Sequence, residues 1–402
     1  MKTVLSINLG NFGSTGGIAR GINAVASKKG FCAYLAYPWD PNNGPQEKND
    51  IIIGSKFGRR ASIALGRFTG FNDCFSVFAT LKFLRRIDTI KPDIIHLHNL
   101  HNCYINLPIL FNYIKKKKIP VIWTLHDCWA FTGKCPYFSL VACDKWKTGC
   151  FDCPYPRDQY PQTRIDNAKK MWMLKKKWFT GVKRMTIVTP SIWLADLVKE
   201  SFLKKNPIKV INNGINLAVF RPIPSSFRKT HGINDDQLML LGVSFGWSYR
   251  KGLDVFIELA KCLPKQYRIV LVGTDSKVDK ELPSNVISIH KTNNQKELAE
   301  MYTAANVFFN PTREDNYPTV NMESLACGTP VVTFNTGGSP EIVDEKTGIV
   351  VSGNSMDENI SAIKKACSGV FLKEDCLNRA ENFDNNKKFN AYIDLYREVE
   401  GF

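Results

Sequence analysis

The 402-residue chain has no run approaching ~18 consecutive apolar residues, which excludes a bilayer-spanning helix. It has no internal repeat and no low-complexity tract. At 44% hydrophobic and 23% charged, it has a globular composition rather than that of a disordered or collagen-like chain. The opening stretch, Met1 to Asn8, is broken at Asn8, Asn11 and Gly13, too early for the apolar core of a secretion signal. A cytoplasmic protein is therefore expected, and disulfides among its 12 cysteines are disfavoured. Acidic residues are scarce in one half only. Residues 1 to 200 hold 30 Lys+Arg against 13 Asp+Glu, 30 − 13 = +17, whereas residues 201 to 402 hold 24 of each. The whole formal charge of +17 thus sits in the first half, the mark of a domain that faces a polyanion: nucleic acid, an anionic membrane or an acidic substrate.

What is present is an alternation of short β-branched runs with longer helix-like segments. Strands are predicted at Thr3 to Asn8, Cys32 to Ala36, Asp50 to Ile53, Asp93 to Leu97, Val121 to Leu125 and Met185 to Thr189. They continue at Ile208 to Ile211, Met239 to Ser244, Arg268 to Val272, Val286 to Ile289, Val307 to Asn310 and Pro330 to Phe334. Continuous apolar strands with helices between them predict parallel sheets covered on both faces, so the fold class is α/β with two doubly wound, Rossmann-like domains in series. Residues 1–200 are expected to form the first domain, with a Cys-rich insertion at about 128–160, and 201–385 the second. Residues 386–402, with Phe389, Tyr392, Ile393 and Tyr396 at helical spacing, should pack back on the first.

Ligands of such sheets bind beyond the strand carboxyl ends. After the first strand comes Gly10-Asn11-Phe12-Gly13-Ser14-Thr15-Gly16-Gly17, a glycine-rich turn into a helix from Ile18. It can bring backbone N–H groups near a phosphate, or it is a tight turn and nothing more; its spacing is not Gly-x-Gly-x-x-Gly. His96, His98 and Asn99 end one strand and His126 another. Each reads as a hydrogen-bonded core residue or, by convergence at strand ends, as part of a site. The sharpest stretch is Asn310-Pro311-Thr312-Arg313-Glu314-Asp315-Asn316-Tyr317-Pro318-Thr319, continuing to Glu323 and Cys327-Gly328-Thr329-Pro330-Val331-Val332. It sets Asp315 in a loop and Glu323 on the following helix.

That stretch resembles the GT-B retaining glycosyltransferases of family 4, whose hallmark is two acidic residues separated by seven. Gly16-Gly17, Thr124 to Asp127, Pro190-Ser191, Asn213-Gly214, Arg250-Lys251-Gly252 and Thr336 to Glu341 stand in the family's order. The narrower likeness, carried by Trp123 to Tyr137 and Asn310 to Gly338, is to bacterial enzymes of capsule, O-antigen and colanic-acid-type polysaccharide assembly. The resemblance implies two domains facing a central cleft and transfer of a sugar from a UDP or GDP donor to a saccharide acceptor, expected to be lipid-linked. It implies catalytic roles for His126, Lys251, Asp315 and Glu323. Donor contacts fall to Gly16, Gly17, Arg250, Lys251, Asn316, Tyr317, Pro318, Thr319 and Glu323. In detail, Glu323 would hold the donor ribose, Arg250 and Lys251 the diphosphate, and Asp315 the sugar hydroxyls. The register is open by one residue because Glu314 precedes Asp315, and Gly246 replaces an arginine often found in the family. His98 and Asn99 are acceptor-side candidates. The resemblance also implies a front-face, metal-independent mechanism with no cofactor for catalysis, in keeping with the absence of Asp-x-Asp and of a carboxylate placed as a nucleophile in the first-domain motifs.

Cys135, Cys143, Cys150 and Cys153 are spaced compatibly with a structural zinc or with thiols buried in a loop-rich insertion. Positive charge concentrates in Lys56 to Arg67, Lys115 to Lys118 and Lys169 to Arg184. In the last stretch Met171, Leu174 and Trp178 lie at helical spacing among lysines. This reads as a peripheral site for the anionic inner membrane leaflet or as a solvated face over a buried stripe. Rival functions are a sugar-nucleotide epimerase, a phosphorylase and, more distantly, a nucleic-acid-binding protein; no nucleic-acid-binding signature is present, so no nucleic-acid partner is expected.

Overall fold

The computed structural model describes residues 1–353 and 355–400 and divides into two compact units, Met1–Asn212 with the chain from Lys388 on, and Asn213–Lys387. In the first unit the order is β1 (Thr3–Ile7), α1 (Gly13–Lys28), β2 (Cys32–Pro38), β3 (Asp50–Ile53), α2 (Lys56–Thr69), α3 (Val77–Ile90) and β4 (Ile94–Leu97). It continues with α4 (Leu107–Lys117), β5 (Val121–Thr124), α5 (Ala168–Phe179), β6 (Met185–Thr189), α6 (Ile192–Glu200) and β7 (Ile208–Val210). The second unit runs α7 (Phe227–Thr230), β8 (Leu238–Val243), α8 (Leu253–Cys262), β9 (Tyr267–Val272), β10 (Val286–Ile289) and α9 (Gln295–Ala304). Then come β11 (Val307–Asn310), α10 (Thr319–Ala326), β12 (Val331–Phe334), β13 (Gly348–Val351), α11 (Met356–Ala366) and α12 (Lys373–Ala380), after which α13 (Asn385–Glu400) belongs from Lys388 on to the first unit.

Both sheets are parallel. The first is seven-stranded in the order β3-β2-β1-β4-β5-β6-β7, the second six-stranded in the order β10-β9-β8-β11-β12-β13. In each, the strand order reverses once, between β1 and β4 and between β8 and β11. Those reversals are the topological switch points, where neighbouring loops diverge and leave a crevice. Strands buried on both faces explain the apolar runs: Val4, Leu5, Ile7, Ile94, Ile95 and Leu97 are inaccessible to solvent.

Three features depart from the sequence pattern. β7 pairs with β6 through Ile187 and Ile208, so the first unit runs on to Asn212. β13 pairs with β12 from Gly348 to Val351 although no strand is predicted there. Helix α1 begins at Gly13, not Ile18, so Gly16 and Gly17 lie in its first turns rather than in a loop.

The last helix, α13, packs on the first unit. Phe389, Tyr392, Ile393, Leu395 and Tyr396 join Val4, Ile18, Ile22, Ile94, Ile122 and Val188 in one core cluster. Gly21 permits this approach, because a Cβ there would lie 2.3 Å from the Phe389 ring. The Tyr396 hydroxyl meets His96 Nδ1 at 2.7 Å, and Thr124 Oγ1 donates to the Tyr392 hydroxyl at 3.2 Å.

Helix α5 carries a correction. Met171, Trp172, Trp178 and Phe179 face the first-unit core, and Lys175 is fully buried with them. Its Nζ donates to the Trp129 carbonyl at 2.8 Å and the Thr132 carbonyl at 3.2 Å, and lies 3.6 Å from the Trp129 ring centroid. Burial lowers its pKa to about 8. The apolar stripe of this helix is therefore core and cannot enter a membrane. Lys115, Lys116 and Lys117 likewise have a local role, in the last turn of α4 where cations suit the helix dipole. Lys117 pairs with Asp88 at 2.6 Å.

Candidate functional site

In the second unit, the loops after β8 and β11 meet across the switch point. Lys251 Nζ donates to Asp315 Oδ2 at 2.6 Å. Arg250 Nη1 donates to the Glu314 carbonyl at 3.1 Å, and the Arg313 N–H to the Arg250 carbonyl at 2.9 Å. Close backbone approach is built in at Gly252, with φ +76°, where a Cβ would come within 2.5 Å of the Pro311 carbonyl oxygen. Gly337, with φ +55°, plays the same part against the Asp315 carbonyl, and the Gly338 N–H donates to the Asn316 carbonyl at 2.7 Å. Two glycine-bearing loops thereby fix one acidic loop. Of the adjacent acids, Glu314 is 2% exposed, whereas the Asp315 carboxylate is partly open and meets Lys251.

Helix α10 starts at Thr319 after Pro318 and carries Glu323 on its second turn. The Tyr302 hydroxyl donates to Glu323 Oε2 at 3.1 Å, and the Thr319 side chain also hydrogen-bonds this carboxyl. Burial raises its pKa to about 7, although those two bonds oppose the rise. Tyr317 and Asn316 are buried, and the Tyr317 carbonyl accepts from Asn213 Nδ2 at 3.4 Å. These residues shape the turn that sets Asp315 and Glu323. Sequence reasoning missed Tyr302, which follows no motif. It also missed the bidentate pair of Arg313 with Asp254, at 2.7 Å for both contacts, which anchors the same loop.

The first-unit residues also gather at their switch point. The Asn99 N–H donates to the buried Asn8 Oδ1 at 3.2 Å, tying the β4 loop to the β1 loop. Gly16 is packed so tightly that a Cβ would lie 2.8 Å from the Asn11 carbonyl carbon, while Gly17 faces open space. The α1 N-terminus has no side-chain cap from Phe12. His98 Nδ1 and His126 Nε2 are 3.1 Å apart, one ring donating and the other accepting. His98 is 1% exposed, with His96 tilted over it at 4.1 Å between centroids. Its ring therefore braces that of His126. Burial lowers the pKa of His126 to about 4 and that of His98 well below the usual imidazole value, so both are neutral near pH 7.

Cys135, Cys143, Cys150 and Cys153 line one small cavity with Trp146, Phe151 and Tyr155. Among the described residues, however, no group of three or more His, Cys, Asp or Glu side chains is arranged to hold a metal ion. Cys150 Sγ instead accepts the Gly133 N–H at 3.1 Å, and burial pushes its thiol up to about 12, the behaviour of a packed thiol.

Two parallel Rossmann-like sheets, each with polar loops converging at its switch point, define the GT-B class of fold. Residues 29–219 match the model of Glycosyltransferase Family 4, and residues 225–388 match that of Glycosyl transferases group 1. The chain belongs to these glycosyltransferases. A protein described as a colanic acid biosynthesis glycosyl transferase, WcaC, of Escherichia coli (strain K12) is 24% identical over 407 residues, covering 96% of this chain and 97% of that one. Among solved structures, the sucrose-phosphate synthase tll1590 of Thermosynechococcus elongatus superposes with a TM-score of 0.75 at 17% identity, covering 99% of both chains. Alr3699/HepE of Anabaena in complex with UDP gives 0.68 at 14% identity, covering 99% of this chain and 100% of that one. At such identities these two structures speak for the fold alone.

Proposed function

We propose that the protein is a retaining glycosyltransferase that transfers a sugar from a UDP- or GDP-sugar to a lipid-linked saccharide in surface polysaccharide assembly. The observation that carries this reading is the switch-point cluster of the second unit, where Lys251, Arg250, Asp315 and Glu323 are held by three interlocked loops. A nucleoside diphosphate sugar needs those groups. Glu323 receives the ribose hydroxyls, Lys251 and Arg250 offset the charge that grows on the leaving phosphate, and Asp315 accepts from the sugar hydroxyls. The name of the WcaC relative and the UDP complex of the HepE neighbour support this choice of pathway and donor.

The chemistry is a front-face displacement. The bond between the anomeric carbon and the phosphate oxygen breaks with its electrons going to the phosphate, and the sugar acquires oxocarbenium character. The acceptor hydroxyl attacks from the same face, forms the new glycosidic bond and passes its proton to the departing phosphate oxygen. His126, neutral and braced by His98, hydrogen-bonds the transferring sugar. The reading needs no metal or other cofactor for catalysis.

The acceptor is met at an anionic membrane surface. Helix α2 turns only Ser62 and Gly66 fully inward, leaving Phe57 80% and Phe68 58% exposed beside Lys56, Arg60 and Arg67, while α3 leaves Phe78 88% exposed. Aromatic side chains among basic ones suit an interfacial helix on anionic lipid. No helix among the described residues is long and apolar enough to cross a membrane. The test is a screen of UDP- and GDP-sugars with a bacterial lipid-linked acceptor pool, reading acceptor-dependent release of nucleoside diphosphate. Release without acceptor but with an altered sugar would favour an epimerase, and consumption of phosphate a phosphorylase.

A further inference from the structure

Beyond the carboxyl ends of β4 and β5, the first unit holds a second cavity, of about 170 Å³, that none of the roles above uses. Its wall includes Arg67 from the end of α2, Asn72 and Asp73 from the loop that follows, His101, Trp129 and Tyr160. Asp73 is 1% exposed; one carboxylate oxygen accepts the Cys103 N–H, and the other, Oδ2, is buried with no hydrogen-bond partner. Native proteins seldom leave such an atom unmet, because a buried acceptor that has given up water without gaining a donor is costly. The Tyr160 hydroxyl and His101 Nδ1 are 2.7 Å apart, and His101 Nε2 lies 3.2 Å from Asp127 Oδ2.

We infer that this cavity is a subsite for one sugar ring of the acceptor, with Asp73 and Asn72 receiving ring hydroxyls and Arg67 closing the rim; this rests on the transferase reading above. The chemistry selects the ligand. A carboxylate oxygen without a donor asks for a hydroxyl or a cation, and the positive charges of Arg67 and buried Lys175 near Asp73 disfavour a cation. The Asp73 carboxylate in turn disfavours phosphate. What remains is a neutral, hydroxyl-rich molecule. The volume is below the range of roughly 300–1,000 Å³ typical of drug-sized ligands and fits a single ring. Burial raises the Asp73 pKa to about 6, so near pH 7 the group is ionised and ready to accept.

Saturation-transfer NMR on the full chain tests this, with methyl glycosides of glucose, galactose, mannose and N-acetylglucosamine, each with and without UDP or GDP. At least one glycoside should bind the native protein. Asp73→Asn should weaken it about tenfold or more, as expected for losing a charged hydrogen bond, while nucleotide binding is unchanged. Arg67→Ala, at an exposed position, should weaken the same glycoside and decides the matter if Asp73→Asn does not fold. Nucleotide binding with no glycoside binding, or glycoside binding indifferent to both variants, overturns the subsite. Glycoside binding sensitive to both variants, without turnover of any nucleotide sugar, upholds the subsite and contradicts the transferase reading.

Discussion

Lys251 and Asp315 form a 2.6 Å ion pair across the switch point of the second sheet, Lys251 from the loop after β8 and Asp315 from the loop after β11. A cation suited to a diphosphate and a carboxylate suited to sugar hydroxyls are thus set side by side before any ligand enters. The pair spaces the two groups, so less ordering remains for the donor to impose.

Removing the cation should strike catalysis harder than stability. Lys251→Ala is expected to lower kcat/KM by about 10²–10³, the usual loss when one group opposing developing negative charge is deleted. Stability should fall by no more than about 1 kcal/mol, because the pair is partly open to water. Steady-state kinetics with thermal melts checks both; Lys251→Arg should restore part of the rate.

Glu323 should give donor binding a pH dependence. Its pKa is raised to about 7, and only the carboxylate can accept both ribose hydroxyls. Donor KM is expected to rise as pH falls below about 7, and Glu323→Gln to remove that limb while raising KM at pH 8. The linkage to stability has the opposite sense. A carboxyl whose folded pKa lies above its unfolded value of 4.5 favours the folded state when protonated, so stability declines as pH rises from about 4.5 to about 7. Glu323→Gln should flatten that decline in urea titrations.

The two histidines predict a negative result that kinetics can check. Because burial holds His126 near 4 and His98 lower, neither gains a proton between pH 5.5 and 8 to any extent that matters; those two pH limits are roughly the working range of imidazole titration. His126→Ala should cut turnover about tenfold or more without moving any limb of the pH–rate profile in that range. His98→Ala should act in the same direction through loss of the 3.1 Å bond that holds the ring.

Membrane attachment should depend on α2 and α3, not on α5. The variant Phe57→Ser, Phe68→Ser, Phe78→Ser is expected to weaken binding to phosphatidylglycerol vesicles about tenfold or more, since inserted aromatic area is lost. Its melting point should stay near that of the native chain because all three rings are exposed. Trp178→Ser, by contrast, opens the core and should lower stability by about 3 kcal/mol or more. Sedimentation with vesicles at low and high salt reads the first effect, thermal melts the second.

Much of the architecture could be read from residues because parallel strands are apolar on both faces, and runs such as Val307 to Asn310 stand out whatever their neighbours. β13 did not stand out: it is a four-residue edge strand directly after the tight turn closed by Thr347 N–H on the Asp344 carbonyl. The early start of α1 was hidden by glycines at 13, 16 and 17, which weaken helix propensity but are tolerated, and at Gly16 required, by close packing. The fate of α5 could not be read from its pattern, because a basic amphipathic stripe looks the same over a core as over a membrane. Only the carbonyls of Trp129 and Thr132, supplied by a distant loop, show why Lys175 is buried. The proximity of Arg250, Lys251 and Asp315 followed from the motifs that carry the family resemblance. The Asp73, His101 and Trp129 cavity was not legible, since it is assembled from segments far apart in sequence with no motif in any of them.

The most direct test of the central claim is an NMR time course of the full chain with its best nucleotide sugar and a lipid-linked acceptor, following the anomeric protons and the released nucleotide together. The account predicts one nucleoside diphosphate per glycosidic bond formed, an anomeric configuration equal to that of the donor, and loss of both signals in Lys251→Ala. An inverted anomeric configuration, or bond formation undiminished in Lys251→Ala, would contradict it.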